Sequence, residues 1–306
     1  MADRETVAIL GAGLMGHGIA QVFAGAGHPV RVYDAERAAL GTLRERVRKN
    51  LVDLGLAAGA EERIAGFADL AEAVSGAALV IEAAPEALEI KRKLFTELVL
   101  LAPPETLLAS NTSVLPIGAI AEGLPTRERI LGTHWWNPPF LVPLVEVIGA
   151  PDTSPETIER ALRWLTAVGK TPVHVKRDVP GFVGNRLQHA LWREAIAIVA
   201  EGIADAKTVD TVVKSSFGRR LAVLGPLENA DLVGTDLTLA IHATVLQHLD
   251  RSTEPSPYLK TLVESGRLGM KTGEGFSAWT EEEAAALREH VFAYLKDWLG
   301  REAGRN

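Results

Sequence analysis

The chain has 306 residues, 47% of them hydrophobic, a formal net charge of -7 and no cysteine. That length buries one large core or two of ordinary size. The lack of cysteine excludes disulfides, thiolate nucleophiles and zinc–thiolate sites, and no metal is expected; an acidic balance without blocks of like charge argues against an extended nucleic-acid surface. No apolar run is long enough to span a bilayer, and Met1-Ala2-Asp3-Arg4-Glu5 does not read as a signal peptide, so no membrane contact and a cytoplasmic setting are expected.

In chain order, Thr6-Val7-Ala8-Ile9-Leu10 is a fully apolar strand candidate running into Gly11-Ala12-Gly13-Leu14-Met15-Gly16. Met15, Ile19, Val22 and Phe23 then mark one helix face, and Pro29-Val30-Arg31-Val32-Tyr33 is a second strand ending in Asp34. A strand, G-x-G-x-x-G, a helix, a strand and an acid about 20 positions on form the dinucleotide fingerprint in its full context. Gly11 permits the tight turn, Gly13 lets a pyrophosphate approach the backbone, and Gly16 allows close helix–strand packing. Gly11, Gly13, Leu14, Met15 and Gly16 are therefore the candidate cofactor contacts, with the helix N-terminus facing the phosphates. Asp34 accepts from both ribose hydroxyls and repels a 2′-phosphate, which favours NAD over NADP.

Leu40, Leu43, Val47, Leu51 and Leu54 have the spacing of one long helix, whose other face carries Arg44, Arg46, Arg48 and Lys49. That basic face is either solvated or a phosphate patch. Ala78-Leu79-Val80-Ile81 is a buried strand leading to Glu86, and the helix after it carries Lys91. Thr106-Leu107-Leu108-Ala109 is another, ending in Ser110-Asn111-Thr112-Ser113. His134 follows a short apolar run, in a turn stiffened by Pro138 and Pro139, and Glu146 lies in the next β-like run. A carboxylate on one ring nitrogen fixes a histidine's tautomer and raises its basicity, as a general base requires, although a structural histidine is the simpler reading of the pair alone. Ligands in open parallel sheets sit beyond the carboxyl ends of strands, where Asp34, Glu86, Ser113 and His134 would gather.

Ser154-Pro155 opens a further helix, Thr171-Pro172-Val173-His174-Val175 returns as a strand, and Asp178-Val179-Pro180-Gly181 is the best boundary. Beyond it strand signals stop. Phe182 to Ala200 reads as one helix with Asn185 in its first turns, either ligand-facing or simply exposed. Leu268 to Phe276 is a glycine-rich loop holding Lys271. Thr280 and Glu283 form a capping box before a final amphipathic helix.

Taken together, Gly11 to Gly16 with Asp34, Ser110-Asn111-Thr112-Ser113, His134-Trp135-Trp136-Asn137-Pro138 with Glu146, Pro180 to Arg186, Gly225-Pro226-Leu227-Glu228 and Lys271 to Phe276 resemble the 3-hydroxyacyl-CoA dehydrogenase family along nearly the whole chain. The resemblance implies an α/β Rossmann-type NAD-binding domain over 1–180, then an all-α domain over 181–306 for substrate and homodimerisation. It implies reversible oxidation of the 3-hydroxyl of an L-3-hydroxyacyl-CoA by hydride transfer to NAD, within fatty acid metabolism. His134 would be the general base and Glu146 its orienting carboxylate. Ser113 and Asn185 would hold the substrate oxygen. Asp34, Glu86, Lys91, Ser113, Asn137 and Lys271 would meet NAD.

The chain departs from the family in places. Trp135-Trp136 replaces the usual Phe-Phe, which reshapes the pocket rather than the chemistry. The stretch from Asn50 to Glu62 lacks the lysines that meet CoA phosphates. Arg220-Leu221-Ala222 resembles relatives that act on free hydroxy acids, the gulonate dehydrogenase, λ-crystallin and carnitine dehydrogenase branch, where a guanidinium grips a carboxylate. Two substrates thus stay open, a CoA thioester or a free 3-hydroxy acid anchored by Arg220. A third possibility, of another class, is a non-catalytic NAD-binding protein of crystallin type.

Overall fold

Along β1 (Val7–Leu10) successive side chains enter two different cores: Val7 and Ile9 one, Ala8 and Leu10 the other. A strand covered on both faces reads as an unbroken apolar run, as this one does. The computed structural model describes residues 4–303; Met1-Ala2-Asp3, within the start read as no signal peptide, lies outside them. The first part alternates β1, α1 (Leu14–Gly25), β2 (Val30–Tyr33), α2 (Arg37–Gly41), α3 (Leu43–Leu54), β3 (Ile64–Phe67), α4 (Leu70–Val74), β4 (Leu79–Glu82), α5 (Leu88–Leu101), β5 (Leu107–Ser110) and α6 (Ile117–Ala121). It closes with β6 (Ile130–Trp135), β7 (Leu144–Gly149), α7 (Pro155–Ala167) and β8 (Thr171–Val175).

These strands form one sheet of order β3-β2-β1-β4-β5-β6-β7-β8. All neighbours are parallel except β6 and β7, which run antiparallel. Strand order reverses between β1 and β4, so the ligand crevice belongs at the carboxyl ends of those strands. Ile19, Val47 and Leu165 cover one face, and Phe95, Leu98 and Ile117 the other.

The chain divides into two units, residues 1–185 with 294–306, and residues 186–293. This differs from the expected break at 180/181. The first residues after Gly181 stay with the sheet because Val183 and Gly184 donate their amides to Glu146 and Asn185 donates to Ser113. The remaining helices are α8 (Gly184–Ala200), α9 (Ala206–Ser215), α10 (Pro226–Val233), α11 (Thr235–Val245), α12 (Pro257–Glu264) and α13 (Glu281–Ala303). Among the described residues of the second unit, Leu262 and Ala284 are the buried hydrophobics. No helix among the described residues is long and apolar enough to cross a membrane.

Three local expectations change. His134 is not in a turn; it is the fifth residue of β6, opposite Glu146 in the antiparallel register. The long helix through Leu40 and Leu54 is two helices, broken at Gly41-Thr42, where glycine and a β-branched residue weaken the helix. The helix expected from Phe182 starts at Gly184, because fully buried Phe182 takes a left-handed φ of 49°.

Candidate active site

The turn after β1 has the shape a dinucleotide needs. Gly11 has φ +107°, and a Cβ there would lie 2.6 Å from the Ala83 carbonyl oxygen. A Cβ at Gly16 would lie 1.7 Å from the Gly11 carbonyl oxygen, so α1 packs against the turn as only glycine allows. Gly13 is the opposite case, with open space around its Cβ position. It precedes α1, whose N-terminus has no side-chain cap, leaving the first-turn amides to face a pyrophosphate. Leu14 is exposed and Met15 half-buried at the same end. Asp34 follows β2 and braces the turn: Oδ2 accepts from Ala12 N at 2.7 Å and Oδ1 from Glu36 N at 2.8 Å. Arg46 Nη2 completes the brace, donating to the Ala12 carbonyl at 2.7 Å. This cradle fits NAD.

Across the β6–β7 pair, Glu146 Oε2 lies 2.7 Å from His134 Nδ1, both side chains buried. Glu146 Oε1 accepts from Val183 N at 2.9 Å and Gly184 N at 3.0 Å, at the start of α8. Burial pushes the Glu146 carboxyl up, but the bonds from His134, Gly184 and Val183 outweigh it and hold the group below the ordinary carboxylate range. An ionised Glu146 keeps a proton on Nδ1 and leaves Nε2 as the free ring nitrogen, able to take a hydroxyl proton. Asn111 Oδ1 accepts from Trp135 N at 3.1 Å and fixes the end of the same strand.

A second network holds the β4 and β5 ends. Glu86 Oε1 accepts from Thr112 Oγ1 at 2.6 Å, Ser113 N at 2.8 Å and Val114 N at 3.2 Å. Asn185 Nδ2 in turn donates to the Ser113 carbonyl at 2.8 Å. Lys91 is fully buried, with Nζ 2.8 and 3.0 Å from the two Glu82 oxygens and 3.3 Å from Glu86 Oε2. Ser110 Oγ donates to Glu82 Oε2 at 2.6 Å. Burial pushes the Glu82 carboxyl up against the pull of Lys91, while Glu86 is held low by the donors around it despite its own burial. Lys91, expected at the cofactor, is buried here with its ammonium paired to Glu82 and Glu86.

The models of the 3-hydroxyacyl-CoA dehydrogenase NAD binding domain and C-terminal domain match residues 6–179 and 181–279. The chain belongs to the 3-hydroxyacyl-CoA dehydrogenase family. It is 35% identical to a 5-formyl-3-hydroxy-2-methylpyridine 4-carboxylate 5-dehydrogenase of Mesorhizobium japonicum, over 93% of this chain and 94% of that one. It is 38% identical to a protein of Deinococcus radiodurans named a probable 3-hydroxybutyryl-CoA dehydrogenase, over 88% of this chain and 98% of that one. A solved 5-formyl-3-hydroxy-2-methylpyridine 4-carboxylic acid 5-dehydrogenase, titled an NAD+-dependent dismutase, superposes with a TM-score of 0.91 at 33% identity, covering 99% of this chain and 100% of that one.

As a member of this family the protein is an NAD-dependent dehydrogenase acting on a hydroxyl group, and the crystallin-like alternative is set aside. The first unit brings together the glycine turn, Asp34, Glu86, Ser113, His134, Glu146 and Asn185; exposed Asn137 follows Trp136. Arg220 and Lys271 belong to the second unit. Arg220 is exposed, after a 3₁₀ turn over Phe217–Arg219. Lys271 lines a cavity of about 650 Å³ within that unit, beside Trp192, Met270 and Phe276. Glu82, Ser110, Thr112 and Asn111 had no assigned role from sequence. Each lies at or just after a strand's carboxyl end, and Ser110, Asn111 and Thr112 also belong to a block that carries the family resemblance.

Proposed function

We propose that the protein oxidises the hydroxyl of a compact substrate bearing its own carboxylate, with NAD as hydride acceptor, rather than that of a CoA thioester. The observation that carries this reading is the state of the α3 face, where the sequence left open a phosphate patch. Arg48 pairs with Glu61 at 2.7 Å and Lys49 with Asp53 at 2.6 Å. Arg44 bonds the Ile64 carbonyl at 2.7 Å, and Arg46 braces the glycine turn. From α13, Lys296 Nζ reaches the Asp53 carbonyl at 2.6 Å, tying the end of α3 to the final helix. Each of these cations already has an acid or carbonyl partner that a CoA phosphate would have to displace. The pyridine dehydrogenase relative, whose name carries a free carboxylate and no CoA, points the same way.

In this reading His134 Nε2 takes the hydroxyl proton, and Glu146 stabilises the imidazolium that forms. Ser113 and Asn185 hold the substrate oxygen, and fixed donors there lower the barrier. Asp34 would hold the adenosine ribose and Glu86 and Asn137 the nicotinamide end of NAD, which would supply the hydride acceptor. Arg220 anchors the carboxylate as a bidentate partner. The protein works as a homodimer through its helical unit, where Val223, Leu227 and Leu239 are 80%, 79% and 72% exposed and offer apolar surface for a partner to cover.

The test is NADH formation from L-3-hydroxybutyryl-CoA beside free L-3-hydroxybutyrate, L-gulonate and L-carnitine, for wild type and Arg220→Ala. Turnover of a free acid, falling roughly 10–100-fold with Arg220→Ala, is expected. Turnover of the CoA ester alone, indifferent to Arg220, overturns the reading and returns the protein to thioester chemistry. Light scattering of Leu227→Glu against wild type checks the dimer, with a shift to monomer expected.

A further inference from the structure

Gly184 opens a 17-residue helix, and its backbone does not require a glycine there. It is absent from the glycines with positive φ, so another residue could take its conformation. What it provides is room. A Cβ there would lie 2.4 Å from Trp136 Cζ2, 3.2 Å from Trp136 Cη2 and 3.3 Å from Glu146 Oε2. Neither neighbour yields easily. The Glu146 carboxylate is held by His134 and two amides, one of them that of Gly184. The Trp136 ring lies against the His134 imidazole, centroids 5.1 Å apart and planes at 48°. Its indole N–H is buried without a hydrogen-bond partner, so shape rather than a polar contact fixes where the ring sits.

We infer that Trp136 and Gly184 are a matched pair that sets the wall beside His134 and thereby selects compact substrates over bulky ones. The indole fills the notch that the missing side chain leaves, and its half-buried ring takes space beside the imidazole. A smaller ring at 136 would open that space. A side chain at 184 would drive the indole onto His134 or pull the Gly184 amide from Glu146. The substrate preference rests on the proposed function above; the fit between the two positions does not.

The test compares wild type, Trp136→Phe, Gly184→Ala and the double variant, with kcat/KM over free hydroxy acids of increasing side-chain bulk and NADH affinity by fluorescence. Gly184→Ala is expected to lose about tenfold or more in kcat/KM with NADH affinity unchanged. The double variant should regain most of that loss. Trp136→Phe alone should shift preference toward the bulkier acids by about fivefold or more, with its melting temperature near that of wild type. A fully active Gly184→Ala, a double variant no better than Gly184→Ala, or an unchanged preference in Trp136→Phe overturns the inference. If Gly184→Ala does not fold, the preference of Trp136→Phe decides. If wild type oxidises only the CoA ester, the proposed substrate class falls, and the same comparison is made with CoA esters of increasing chain length.

Discussion

Glu146 Oε2 lies 2.7 Å from His134 Nδ1 while Glu146 Oε1 is fixed by two main-chain amides, so the imidazole is aimed by the backbone of a helix start. Glu146→Gln keeps the size of the side chain but can present an N–H to Nδ1, which favours the wrong tautomer. Its kcat should fall by roughly 10³-fold, and that of His134→Ala at least as far, with NADH affinity retained in both. Steady-state kinetics beside fluorescence titration checks this. Unchanged turnover in either variant removes the dyad from the chemistry.

Lys91 is fully buried between Glu82 and Glu86, and its removal leaves carboxylates with no cation. Lys91→Met should lower unfolding free energy by about 3–5 kcal/mol in urea denaturation, because an uncompensated buried charge costs more than the pair gains. Adding Glu82→Gln should recover part of the loss. If the double variant is less stable than Lys91→Met, the stabilising role lies elsewhere on α5.

Asp34 serves the glycine turn and the cofactor together, since the oxygen that accepts from Ala12 N belongs to the carboxylate expected to bind ribose. Asp34→Ala should raise KM for NAD by roughly 10–100-fold, the worth of hydrogen bonds to a charged group, and reduce discrimination against NADP. Initial rates with both cofactors measure it. Equal loss with NAD and NADP would make Asp34 a brace for the turn alone.

The parts legible in the sequence were those where backbone geometry admits few residues. Gly11 and Gly16 stand where a Cβ would collide with main chain, and Ser154 and Thr280 cap helices through local bonds to Thr157 and Glu283. The β6 and β7 strands are legible as two apolar runs around prolines, but not that His134 lies within β6 rather than in the turn. The β3 strand, Ile-Ala-Gly-Phe at the sheet edge, escaped because it lacks an apolar or β-branched run. The Glu82–Lys91 pair escaped for another reason. A lysine near a cofactor motif suggests a ligand, and only the fold shows that α5 folds it inward onto β4.

Lys170 lies between α7 and β8, and its Nζ donates to the Pro139 carbonyl and, at 3.0 Å, to that of Val142. It stands 5.6 Å over the Trp135 ring, so it pins the turn that joins the strand of His134 to the strand of Glu146. Burial alone lowers its pKa from 10.5 to about 8. Below pH 8 both folded and unfolded chains carry the proton, and the folded state bears the full cost of a buried ammonium. Between that value and the unfolded value of 10.5 the folded chain loses the proton first, so this group adds stability as pH rises. The gain is up to about 1.4 kcal/mol per pH unit. Lys170→Met lacks it. Urea denaturation from about pH 7.5 to about pH 9.5 should therefore move the stability difference in favour of wild type by about 1–2 kcal/mol. Parallel pH profiles would mean that Lys170 keeps its proton throughout, held by the carbonyls and the indole face.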